Sequence, residues 1–204
     1  MESNQVNELE TKLNKSIETF DCELKKVIAE FPAQKLPADL TIEKRKRLSS
    51  IQREFSSAIN KLSVDIRRKK KEIEKSIVKI KFPTDCEIPH LSEIKWQKYF
   101  RDKSDRALRV ALIYVDFMKA FESGDYEFCY SILVGIEKKG ITELNPALYN
   151  VMIPVNEELG ITKLEEEIAE LKKLEEINSY YITHLSSTNF EYNNFEYNNF
   201  VIMN

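Results

Sequence analysis

Val6, Leu9, Leu13, Ile17, Phe20, Leu24, Val27 and Phe31 succeed one another at steps of three or four residues. A second set, Leu48, Ile51, Phe55, Ile59, Leu62, Ile66, Ile73, Ile77 and Ile80, keeps the same rhythm. At 100° of rotation per residue each set collapses onto one stripe along a helix, whereas a strand would alternate every second residue. Both stripes are narrow, close to the seam of a coiled coil, so neither helix can sit in the middle of a core and each needs a partner. Pro32 and Pro37 in "FPAQKLPADL" separate them, because proline removes a ladder hydrogen bond and its ring clashes with the preceding turn. The pattern predicts a long antiparallel coiled-coil hairpin. Its second helix starts near Thr41, with Thr41 or Asp39 as cap, and runs roughly 60 Å at 1.5 Å per residue.

Glycine (4) and proline (6) are scarce among the 204 residues, which disfavours sheets that need a turn every few positions and fits an all-α chain. "FPTDCEIPHL", with Pro83 and Pro89, marks the clearest boundary. Beyond it, "SEIKWQKYF" reads as a short helix, and "SDRALRVALIYVDFMKAFESG" as a more apolar one closed by Gly124. "DYEFCYSILVGIEKKG" is the return helix, closed by Gly140, and Asn145–Pro146 opens a short helix that Pro154 should end. Thr162 and Glu165 have the spacing of a capping box for a last helix carried by Leu164, Ile168, Leu171, Leu174, Ile177 and Tyr181. The expected organisation is a hairpin over 1–81, a linker over 82–91, and a small helical domain with the C-terminal helix over 92–185. An irregular tail follows over 186–204.

Little in the chain nominates chemistry. His90 and His184 lie far apart, and Cys22, Cys86 and Cys129 form no CxxC pair, so no metal site is expected and the cysteines read as thiols of a reducing compartment. No glycine-rich phosphate loop follows a strand, and the carboxylates Glu165, Glu166, Glu167 and Glu170 stand beside Lys172 and Lys173 as a solvated helix face. We therefore expect no catalytic residue, no cofactor and no enzyme. The first fifteen residues carry no apolar signal core, and the longest apolar run, "VALIYVDFM", is far too short to span a bilayer. A cytoplasmic protein with no membrane partner is the expectation.

The net charge of -3 hides an asymmetry: residues 41–82 hold 14 Lys/Arg against 5 Asp/Glu, so this stretch is +9 and the remainder -12. With Ile66 placed at 0° on the wheel, Lys46, Arg53, Lys61, Arg68, Lys71, Lys75 and Lys79 fall between about 140° and 220°, opposite the apolar stripe. Such a ridge suits the phosphate backbone of double-stranded DNA, where each contact gains affinity by releasing counterions. It equally suits an acidic protein surface, or simply water. No aromatic residue interrupts it, so base stacking is not indicated.

The stretch "SDRALRVALIYVDFMKAFESGDYEFCYSILVGIEKKGI" has the look of a single tetratricopeptide-type helical hairpin, without the recurrence of an array. The order of elements is more specifically similar to terminase small subunits of tailed phages. A basic helix precedes a proline boundary, Asp105 and Leu108 open an apolar helix, "GDYE" turns at Gly124 to Glu127, and "GITKLEEEIAELKKL" follows late. That resemblance implies an oligomer that marks viral DNA and regulates a motor subunit, without catalysis of its own, in the host cytoplasm. The alternative is a protein-only adaptor, scaffold or inhibitor that binds a partner through acidic surfaces and its tail. Self-association through the hairpin is expected at Phe55, Leu62 and Ile66. In the tail, "NFEYNNFEYNNF" places Phe190, Tyr192, Phe195, Tyr197 and Phe200 on a five-residue period that fits neither a helix nor a strand face. These rings are candidates for docking into a protein partner.

Overall fold

The structure, a computed structural model, describes residues 3–31, 38–87, 90–101, 106–141 and 144–187. Helices α1 (Ser3–Glu30) and α2 (Ala38–Lys81) are followed by a 3-10 turn at Pro83–Cys86. Then come α3 (Leu91–Arg101), α4 (Arg106–Glu122), α5 (Tyr126–Lys138), α6 (Asn145–Glu158) and α7 (Ile161–Ser187). The fold is all-α: among the described residues there is no strand.

Two compact units emerge, and they do not follow the linear order of the chain. One joins Met1–Arg68 to Glu170–Asn204; the other is Lys69–Ala169. Sequence order had assigned the whole C-terminal helix to the domain after the linker, yet from Glu170 onward it belongs with the N-terminal hairpin.

In the first unit α1 and α2 run antiparallel. Phe31 and Glu30 at the end of α1 meet Lys44 and Arg47 near the start of α2, and Phe20, further back, stacks on Phe55 with ring centroids 4.3 Å apart. The two stripes face inward as their spacing requires: Val6, Leu9, Leu13, Leu24 and Val27 are buried from α1, and Phe55, Ile59, Leu62 and Ile66 from α2. The third wall is α7. Tyr181 sets its ring edge on Phe55 at 5.8 Å and Glu175 pairs with Arg67 at 3.1 Å, so α7 runs antiparallel to α2. Its stripe departs from the expected one. Leu171 and Leu174 are buried, but Ile177 is 46% exposed and Asn178 takes the fully buried position beside it.

In the second unit α5 is the central element. Cys129, Tyr130, Ser131, Ile132, Leu133, Gly135 and Ile136 are all buried, because α3, α4 and α6 pack around it. Asp125 caps α5 by accepting the Phe128 N–H at 3.1 Å, and Gly124 before it adopts φ 76°, the left-handed turn expected after α4. Asp85 in the 3-10 turn caps α3 from outside, accepting from the Ser92 backbone N–H at 2.7 Å and from its hydroxyl. Gly135 has an ordinary helical backbone, but a Cβ there would fall on the ring of Phe100, which is 4% exposed. Gly135→Ala should therefore destabilise the protein by about 1 kcal/mol, overpacking outweighing the gain in helix propensity. Urea denaturation measures it, and in a Phe100→Leu background the loss should shrink. An unchanged loss there would refute the steric cause.

Two local expectations are corrected. Pro154 does not end α6, which continues to Glu158. Pro154 and Asn150, whose carbonyl loses its ladder partner, are both on the exposed side of the helix, while Leu148, Met152 and Val155 hold the opposite face in the core. Thr162 is not the cap of α7 either: the helix already begins at Ile161, after Gly160 turns at φ 70°. Ile161 is fully buried, and that burial fixes the helix start ahead of the capping box. A smaller difference is the start of α2, which lies at Ala38 rather than near Thr41.

Candidate nucleic-acid interface

α2 carries all seven ridge cations, Lys46, Arg53, Lys61 and Arg68 in the first unit and Lys71, Lys75 and Lys79 in the second, and every one is exposed. Other cations of α2 engage the protein's own carboxylates on neighbouring elements or along the helix flank. Arg47 pairs with Glu30 and, at 3.3 Å, with Glu43; Arg67 pairs with Glu175; Lys81 pairs with Glu165 at 3.3 Å. The wheel gives the reason. Arg47, Arg67 and Lys81 lie about 60° to 100° from Ile66, on the flanks where side chains of a neighbouring helix reach, whereas the ridge at 140° to 220° points away. Arg68 alone of the seven has an ion pair among the described residues, with Asp65 one turn back at 2.9 Å. Such an exposed pair contributes little and exchanges readily with another anion. Lys46, Arg53, Lys61, Lys71, Lys75 and Lys79 have no carboxylate within ion-pairing distance among the described residues.

Phe55, Leu62 and Ile66, expected to join protomers, are instead spent within the chain, at 5%, 5% and 0% exposure. The stripe does need a partner, and α1 and α7 of the same chain supply it. Phe190, Tyr192, Phe195, Tyr197 and Phe200 lie outside the described residues.

The groups with altered chemistry lie in the second unit, and packing causes the alteration. Burial pushes the Cys129 thiol up to about 12, which keeps it protonated and unreactive at neutral pH. Tyr99 donates to Asp116 at 2.7 Å, and burial followed by that carboxylate raises its phenol well above the ordinary range. Tyr130 donates to Asn156 at 2.7 Å and has the Lys81 ammonium 5.5 Å from its ring centroid; burial, then Glu165, raises it to about 12. These two phenols act as hydrogen-bond donors that fix α3 to α4 and α5 to α6. A cavity of about 100 Å³ lies against Tyr130, between Phe82, Tyr149 and Asn156, with room for only a few waters. His90 occupies an exposed turn at φ 65°, 3.6 Å from Glu93.

Among the described residues no group of three His, Cys, Asp or Glu is placed to hold a metal, and no helix is long and apolar enough to cross a membrane. What the described surface offers in concentrated form is therefore positive charge on α2. Comparison with protein-family models, with curated proteins and with solved structures finds no match to this chain.

Proposed function

We propose that this is a non-enzymatic helical assembly protein that lays the outer face of α2 against the phosphate backbone of double-stranded DNA. In its most specific form it is an oligomer of phage DNA packaging, as the likeness to terminase small subunits implies. One observation carries the reading: the ridge cations are exposed and, Arg68 apart, unpaired among the described residues, while cations on the flanks of the same helix consume the nearby carboxylates. A surface meant to pair with the chain's own acidic groups would show the reverse. Flexible ammonium and guanidinium groups with no aromatic between them suit phosphates rather than base edges, so binding is weakly sequence-specific.

The test is a salt titration with a short DNA duplex followed by fluorescence anisotropy. Log affinity should fall linearly with log salt at a slope near -0.9 per phosphate neutralised. Lys71→Gln with Lys75→Gln should flatten that slope by about two and weaken all sequences alike. Both side chains are exposed, so helicity should not change. Absence of binding even at low salt would remove the DNA reading and leave the protein-only adaptor, in which the same double change should weaken an acidic protein partner instead.

A further inference from the structure

The first unit has a second feature that the nucleic-acid reading does not use. α7 closes one side of the hairpin, and the other side, between α1 and α2, is an open groove of about 380 Å³. Its floor is apolar: half-buried Phe20 and Ile51, the buried Phe55 ring, and exposed Ala58. Its two ends carry opposite charge. Lys12 and Lys15 stand at one end and Glu23 at the other, with Glu54 beside the Phe55 ring that stacks on Phe20. Between Lys15 and Glu23 the α1 axis advances about 12 Å. Among the described residues Lys12 and Glu23 make only local exposed pairs, with Glu8 at 2.7 Å and Lys26 at 2.5 Å, which a better partner can replace.

We propose that the occupant is a second copy of this chain, docked face to face with its groove reversed. A two-fold axis lying in the interface and crossing the helices sets α1 antiparallel to the partner's α1. The cationic end of each groove then covers the acidic end of the other, and the two apolar floors meet near the axis. A two-fold axis along the helices would instead place lysines over lysines and glutamates over glutamates. The charge pattern thus selects one of the two face-to-face arrangements, and self-complementarity of this kind is what an isologous dimer requires. Thr19 and Ala58, both small and exposed, let the helices approach. The footprint is short, so the dimer is a weak one, in the range of about 10–100 μM. The inference does not depend on DNA binding.

Sedimentation equilibrium of the full chain without nucleic acid, over a concentration series, tests it. The wild type should shift from monomer to dimer. Thr19→Arg and Ala58→Arg each put a bulky charge in the groove at an exposed helical position; each should give a monomer with unchanged helicity and melting temperature. Lys15→Glu should also give a monomer, and adding Glu23→Lys should restore the dimer, because in antiparallel α1 helices position 15 of each copy faces position 23 of the other and the swap restores opposite charges across that pair. A wild type that stays monomeric at about 500 μM overturns the proposal. So does a dimer indifferent to Ala58→Arg, or a charge swap without rescue.

Discussion

A chain carrying Phe55→Asp and Leu62→Asp is expected to lose the cooperative folding of the first unit altogether. Phe55 stacks on Phe20 from α1 and receives the edge of Tyr181 from α7, so one ring ties three helices together. Leu62, 5% exposed, lies two turns further along the same stripe. Truncating a buried Phe costs about 3–5 kcal/mol and a buried Leu about 2–5 kcal/mol, before any penalty for placing carboxylates in the core. Together the truncations come to about 5–10 kcal/mol before that penalty, comparable with the whole stability of a typical domain, about 5–15 kcal/mol. Circular dichroism should show a large loss of helix at 25 °C, and proteolysis should cut within α1. A double variant that keeps native helicity and merely dissociates would mean that these side chains face another protomer, contrary to their burial here. Their intramolecular role is also why Thr19 and Ala58, not Phe55, are the residues with which to probe the groove.

The opposite sign is expected at Asn178. Its side chain is fully buried in the first unit, and neither amide atom finds a hydrogen-bond partner among the described residues. A buried polar group left unmatched costs about 1–3 kcal/mol, and a buried Leu adds about 1.5–3 kcal/mol of apolar transfer. Leu is the larger residue, and overpacking returns about 1–3 kcal/mol of that gain. Asn178→Leu should accordingly stabilise the protein by about 2 kcal/mol, which for a chain of this size raises Tm by roughly 4–8 °C. Thermal unfolding at fixed protein concentration reads the change. A fall in Tm would show that the amide is hydrogen-bonded in solution, for instance to a buried water.

The candidate site was more legible than the packing that surrounds it. All seven ridge cations are where a wheel drawn from the sequence puts them, because exposure opposite a buried stripe follows from the helix period alone. Which cations would be neutralised was not readable, since Arg67 meets Glu175 and Lys81 meets Glu165 across more than eighty residues of sequence. Their flank positions were a usable signal for contact, but not for the identity of the carboxylate. The groove between α1 and α2 left no local signature either: Lys12, Glu23 and Glu54 look like ordinary helix-surface charges until two helices set them around one floor.

By itself the sequence determined the helices. The three- and four-residue rhythm admits no strand, and the boundary prolines and Gly124 punctuate the elements because each forbids or permits a particular backbone state. It also determined that the stripes of α1 and α2 must be covered. What covers them was decided only in three dimensions: α7 from Glu170 onward turns back to the hairpin. An apolar stripe records a demand for burial and carries no label for the surface that meets it. The same physics put Asn178 rather than Ile177 in the core and carried α6 through Pro154. In both places local preference was worth at most a few kcal/mol, and the burial of a whole helix face outweighed it.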